Sequence, residues 1–153
     1  MKPSLDRRQA LTIGAGALAA TALGWSGLPA GAATNGFEQA IKQFTGGQEP
    51  VEGRVNLDLP QIADDGSAVL MTITVDSPMT EDAHVTDVLV VADGNPRPGV
   101  ATFHFSPASG VAEVSTRIRL AQTENVIAVA KMNDGSSFMA RKQVTVTVGG
   151  CAA

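Results

Sequence analysis

The only cysteine of the chain, Cys151, stands in the closing stretch Gly149-Gly150-Cys151-Ala152-Ala153. A thiolate is a nucleophile and can be oxidised, so it could hold a cargo through a sulfur bond. Glycine pairs resist regular structure, and three extended residues span at most roughly 10 Å. The stretch 149–153 is therefore expected to be a short mobile tether, packed against nothing, with its thiol beyond the preceding domain. A cysteine tolerated at a terminus is the alternative reading. The other candidates for chemistry are sparse. His84 and His104, one remote cysteine and scattered aspartates do not match metal-ligand spacing. His104 alternates with Phe103 and Phe105 and reads as a partly exposed structural histidine; His84 follows Glu81-Asp82 and reads as solvated. Asp64-Asp65 fits a turn better than a carboxylate pair, and Met71, Met79, Met132 and Met139 fit packing better than soft-metal binding. There is no Gly-x-Ser-x-Gly, phosphate-cradling loop or His-Glu-x-x-His. No catalytic residue, metal or cofactor is expected.

What must carry the tail is a domain of strands. After Pro50 the chain alternates between short apolar-polar runs and turn residues. The runs are Arg54–Leu59, Ala68–Val75, Val85–Ala92, Gly99–Phe105, Ala112–Leu120, Asn125–Met132 and Ser137–Val148. Asp64-Asp65-Gly66-Ser67, Asp93–Pro98, Ser106–Gly110 and Asn133–Ser136 separate several of them, the last as a hairpin turn. Ala112–Leu120 alternates most clearly, with Val114, Thr116, Ile118 and Leu120 inward and Glu113, Ser115, Arg117 and Arg119 outward. About seven evenly spaced strands without crossover helices predict an all-β fold, an antiparallel immunoglobulin-like sandwich. A short helix over 36–44 precedes them, with Phe37, Ala40, Ile41 and Phe44 on one face, Asn35 as N-cap and Gly46-Gly47 as stop.

Residues 1–32 read as a targeting segment. Lys2, Arg7 and Arg8 precede a mildly apolar run from Leu11 to Leu28, and Ala30-Gly31-Ala32 offers a small-x-small cleavage site. Arg7-Arg8 ahead of such a run fits twin-arginine export; a general secretory signal is the alternative. The expected organisation is an export signal at 1–32, a sandwich at 33–148 and a carrier arm at 149–153. Without 1–32 the chain has 8 Lys+Arg and 14 Asp+Glu, a net charge of −6. That excess argues against nucleic acid or an anionic membrane as partner. A single cysteine also excludes an internal disulfide.

An exported acidic sandwich with one thiol on a glycine tether resembles the SoxY family. This is the sulfur-carrier subunit of the periplasmic thiosulfate-oxidising (Sox) system. The resemblance covers all of 33–153. It rests on the leading helix with Phe37 and Ile41, on Leu57-Asp58-Leu59-Pro60-Gln61-Ile62-Ala63-Asp64-Asp65-Gly66, on Asp76-Ser77-Pro78-Met79-Thr80 and on Asn95-Pro96-Arg97-Pro98. It continues through Phe103-His104-Phe105-Ser106-Pro107-Ala108-Ser109-Gly110, Ser115-Thr116-Arg117-Ile118-Arg119-Leu120 and Gly149-Gly150-Cys151. It implies a periplasmic carrier, not an enzyme, that bears thiosulfate-derived sulfur covalently on Cys151. Gly149, Gly150, Ala152 and Ala153 would be its arm. The implied partners are a SoxZ-like subunit in a heterodimer, a c-type cytochrome that attaches thiosulfate, a sulfate thiohydrolase and a sulfane dehydrogenase. Ala152-Ala153 depart from the family's usual Gly-Gly ending. The reading of another class is an exported interaction module whose terminal thiol makes an intermolecular disulfide.

Overall fold

The computed structural model describes residues 36–150, all within the second of two units, 33–153. The proposed export signal and Cys151-Ala152-Ala153 lie outside the described residues. The helix α1 (Phe37–Thr45) begins after Gly36, whose φ of 83° is left-handed, and stops at Gly46, φ 68°, whose N–H caps Lys42 O. Gly36 thus occupies the position next to the expected cap, Asn35, which is not among the described residues.

Nine strands follow: β1 (Val51–Glu52), β2 (Val55–Asp58), β3 (Ile62–Asp65), β4 (Val69–Val75), β5 (Val85–Ala92), β6 (Gly99–His104), β7 (Ala112–Ile118), β8 (Glu124–Met132) and β9 (Ser137–Val148). The larger sheet runs β1-β9-β8-β5-β6, with β3 also joined to β9; the smaller runs β2-β4-β7. Both β2 and β7 lie antiparallel to β4, with Val55 opposite Val75 and Ile118 opposite Val69. In the larger sheet β8 is antiparallel to β5 and β9, as β6 is to β5. The all-β sandwich follows the seven runs closely, and β5 and β9 begin and end where expected.

Two strands escape the sequence pattern. β1 and β3 each lie parallel to β9, with Val51 opposite Phe138 and Ile62 opposite Thr145. β1 is too short to show a period. In β3 only Ala63 is buried, while Ile62 points outward, so its apolar residue sits on the wrong face for alternation to reveal it. The turn expected at 64–67 is correspondingly shorter. Asp64 and Asp65 belong to β3, and the chain reverses at Gly66 and Ser67.

The core between the sheets is built from alternate residues: Val69, Met71, Ile73 and Val75 from β4, Val88 and Val90 from β5, Val126, Ala128 and Ala130 from β8, and Leu120 after β7. Full burial of one such large aliphatic side chain is worth about 2 kcal/mol. The outer face of the larger sheet is also covered. Phe37 of α1 packs on Val91, Ile127 and Val129, with Ala40, Ile41 and Phe44 beside it. This second layer explains why β8 is a nearly continuous apolar run instead of an alternating one. Met71, Met79 and Met132 are buried core residues, and Met139 is packed beneath α1.

Candidate functional site

The chemistry-bearing residues fall at opposite ends of the larger sheet. At one end, His104 Nδ1 meets Asp87 Oδ1 at 2.5 Å, with the imidazole largely exposed. Nearby, His84 places Nδ1 3.0 Å from Thr80 O, and its N–H donates to Asn133 Oδ1. β9 ends at the other end, beside the start of β8, where Glu124 is opposite Val144. The histidines and the root of the tail are therefore not brought together. Among the described residues no group of three or more His, Cys, Asp or Glu is placed to hold a metal ion.

Gly149 and Gly150 are not a free tether, which corrects the expectation from the sequence. Gly66 N–H donates to Val148 O at 2.7 Å, Leu120 N–H to Gly66 O at 2.8 Å, and Gly150 N–H to Leu120 O at 2.8 Å. Three segments distant in sequence thus meet backbone to backbone. A Cβ at Gly149 would overlap Ala121 O, one at Gly150 would overlap the Gly66 carbonyl and Ser67 N, and one at Gly66 would overlap Leu120 O. All three positions need glycine for close approach, not for a left-handed backbone. The tail begins packed, and of its residues Cys151, Ala152 and Ala153 lie outside the described structure.

The loop that receives Gly150 is itself fixed from beneath. Asn95 Nδ2 donates to Arg119 O and Asn95 Oδ1 accepts from Ala121 N–H, both at 2.9 Å. Glu124 Oε1 accepts from the same N–H at 2.9 Å, and its Oε2 from Gly94 N–H at 2.8 Å. Thr123 Oγ1 accepts Val146 N–H at 3.0 Å. Glu124 is almost wholly buried, at 3% exposure. Desolvation pushes its pKa up, and the N–H groups of Gly94, Ala121 and Gln122 only partly offset this. Asp65, exposed beside Gly66, is held below the ordinary carboxylate value by the Ser67 N–H and then its hydroxyl.

Glu124, Gly66 and Leu120 were invisible as site residues in the sequence. An acidic residue opening an apolar strand reads as solvated, and Asp-Gly reads as a turn whatever packs on the glycine. Asn95 stood in a quoted motif, but nothing pointed to its two backbone partners.

A raised carboxylate pKa makes a signed prediction. The folded state holds the Glu124 proton more tightly than the unfolded chain does, so Glu124 favours folding most below its ordinary 4.5. That advantage declines as pH rises from 4.5 through the raised folded value. In urea unfolding across this window, wild type should lose stability relative to Glu124→Gln, which does not titrate, and the difference should level off above it. A flat difference would show that Glu124 titrates normally.

The profile of the family described as sulfur oxidation protein SoxY matches residues 41–151. The chain belongs to the SoxY family. The match takes in Gly66, Asn95, Glu124 and both glycines, and ends on Cys151. Among solved structures, the sulfur carrier protein SoxY from Chlorobium limicola f thiosulfatophilum is 29% identical, with a TM-score of 0.60 over 71% of this chain and 89% of that one. A superoxide reductase (neelaredoxin) from Ignicoccus hospitalis is 15% identical, with a TM-score of 0.55 over 61% of this chain and 80% of that one. A putative superoxide reductase from Thermotoga maritima is 20% identical, with a TM-score of 0.51 over 67% and 89%. These two share the fold with SoxY. No curated protein shows a significant match.

Proposed function

We propose that this SoxY-family chain is the sulfur-carrier subunit of a periplasmic thiosulfate-oxidising system, exported by the twin-arginine route. It holds sulfur on Cys151 and leaves catalysis to other proteins. The observation that carries this reading is the family match, which extends through Cys151, together with the likeness to a SoxY sulfur carrier over most of that chain. In the first step the Cys151 thiolate and thiosulfate are joined by a sulfur–sulfur bond, and two electrons pass to a c-type cytochrome. The product is a cysteine S-thiosulfonate. A thiohydrolase then adds water across the terminal sulfur–sulfur bond, releasing sulfate and two protons and leaving a persulfide. A sulfane dehydrogenase then oxidises the outer sulfur of the persulfide to a sulfonate with oxygen from three waters, six protons going to solvent and six electrons to a c-type cytochrome. A SoxZ-like sandwich is the proposed heterodimer partner, in an interface of about 2,000 Å² or more.

Native mass spectrometry of the chain isolated from its source tests this directly. The expected result is a co-purifying smaller subunit and a carrier chain heavier by bound sulfur or thiosulfonate, with the added mass removed by a reductant. A disulfide-linked dimer, or an unmodified monomer under thiosulfate-oxidising conditions, would support an interaction module instead.

A further inference from the structure

The meeting of three backbone segments at the end of β9 raises the question of where the cysteine can go. Counted from Val148, a free tether of three residues would let Cys151 range over roughly 10 Å. Gly150, however, is already bonded to Leu120, and its Cα lies against Gly66 and Ser67. Only one peptide link, about 3.8 Å from Cα to Cα, separates Cys151 from that fixed position. Leu120 and Ala121 cannot easily retreat, because Asn95 binds Arg119 O and the Ala121 N–H, one on each side of Leu120, and Glu124 shares that N–H. Gly66 cannot retreat either, since it gives its N–H to Val148 and takes the N–H of Leu120.

We propose that Gly66, Leu120 and Ala121 form a seat for Gly149 and Gly150, so that the cysteine-bearing terminus leaves the domain at a fixed point. Gly66 is the positioning residue. The proposal takes its meaning from the carrier reading, in which Cys151 bears the cargo. The seat fixes the point from which residue 151 departs, beside the Gly66–Ser67 turn and Ala121, and makes that end of the sandwich the surface a partner enzyme meets. A partner with a deeper active site must first pull the two glycines out, at the cost of one hydrogen bond and their close packing.

Two spectroscopic readouts on the full 33–153 chain test the seat without any sulfur chemistry. In the nitrogen-15-labelled protein, the Gly150 amide should exchange with solvent at least tenfold more slowly than in a free peptide. In Gly66→Ala that protection should fall about tenfold, while amides of β5 and β8 keep theirs. A nitroxide on Cys151 should show a restricted component that narrows in Gly66→Ala. Should Gly66→Ala fail to fold, Gly149→Ala carries the same test, because Gly149 follows the last strand and the atoms nearest its methyl belong to Ala121. Free-peptide exchange at Gly150 in the parent, or equal label mobility in parent and variants, would overturn the seat. Neither readout depends on whether Cys151 carries sulfur, and the adduct mass does not depend on the seat, so either idea can fail alone.

Discussion

Sulfur-dependent turnover in a reconstituted system should fall to background when Cys151 is replaced by serine, with the melting temperature unchanged. The chain has no second thiol, and a serine hydroxyl cannot be oxidatively joined to thiosulfate through a sulfur–sulfur bond. Serine differs from cysteine only in the replacement of sulfur by oxygen, a change too small to unsettle the fold. The thiol is also poorly prepared to react alone. A cysteine in water, with a pKa near 8.5, is only a few per cent thiolate at pH 7. On the carrier reading, activation of the thiol falls to a partner's active site. The measurement is the steady-state rate of sulfur oxidation at equal carrier concentration, with circular dichroism as the control for folding. Undiminished turnover by Cys151→Ser would remove the carrier function from this chain.

Gly66→Val should be the most damaging single change at the arm root, costing about 3 kcal/mol by the usual scale for backbone and packing clashes. For a domain of this size that lowers the melting temperature on the order of 10 °C. Its Cβ would overlap Leu120 O and crowd Gly150 N and Val146 Cγ1. Gly66 lies between β3 and β4, so it cannot move without loosening both. Gly150→Val also meets backbone, but Gly150 follows the last strand and can peel away with the loss of one hydrogen bond, about 1 kcal/mol. A tether packed against nothing, as the sequence alone suggests, would leave stability hardly changed by Gly150→Val; the bond to Leu120 replaces that expectation with a small loss. Partner turnover should still slow, since a β-branched residue stiffens the root of the arm. Thermal unfolding of the two variants side by side decides the matter: equal, negligible losses would mean that the contacts at Gly66 do not persist in solution.

The sandwich was legible because its main strands bury one face and expose the other. Val69, Met71, Ile73 and Val75 announce β4 without help from any neighbour. Helix α1 was legible for the same reason, through Phe37, Ala40, Ile41 and Phe44. β1 and β3 were not, because their existence depends on a partner strand far along the chain and not on their own pattern. The arm root shows the same limit more sharply. Gly149-Gly150 carries identical letters whether it swings freely or lies on a backbone, and only Gly66 and Leu120, far apart in sequence, decide which. Glu124 could not be recognised as a buried acceptor, since its partners are main-chain groups of Gly94 and Ala121, which have no signature of their own.

The position of β9 has a consequence for how the domain comes into being. It is the last of the nine described strands to be synthesised, yet it lies inside the larger sheet between β1 and β8, and among the described residues it alone pairs with β1 and β3. Until residues 137–148 arrive, β8 keeps an open edge and two earlier strands have nothing to bond to. Pairings so distant in sequence close slowly and late, and an unpaired edge invites association with other chains in the interval. Gly149 and Gly150 can reach Gly66 and Leu120 only as this last ladder closes, so a firmly held Gly150 would report that the sandwich has finished folding.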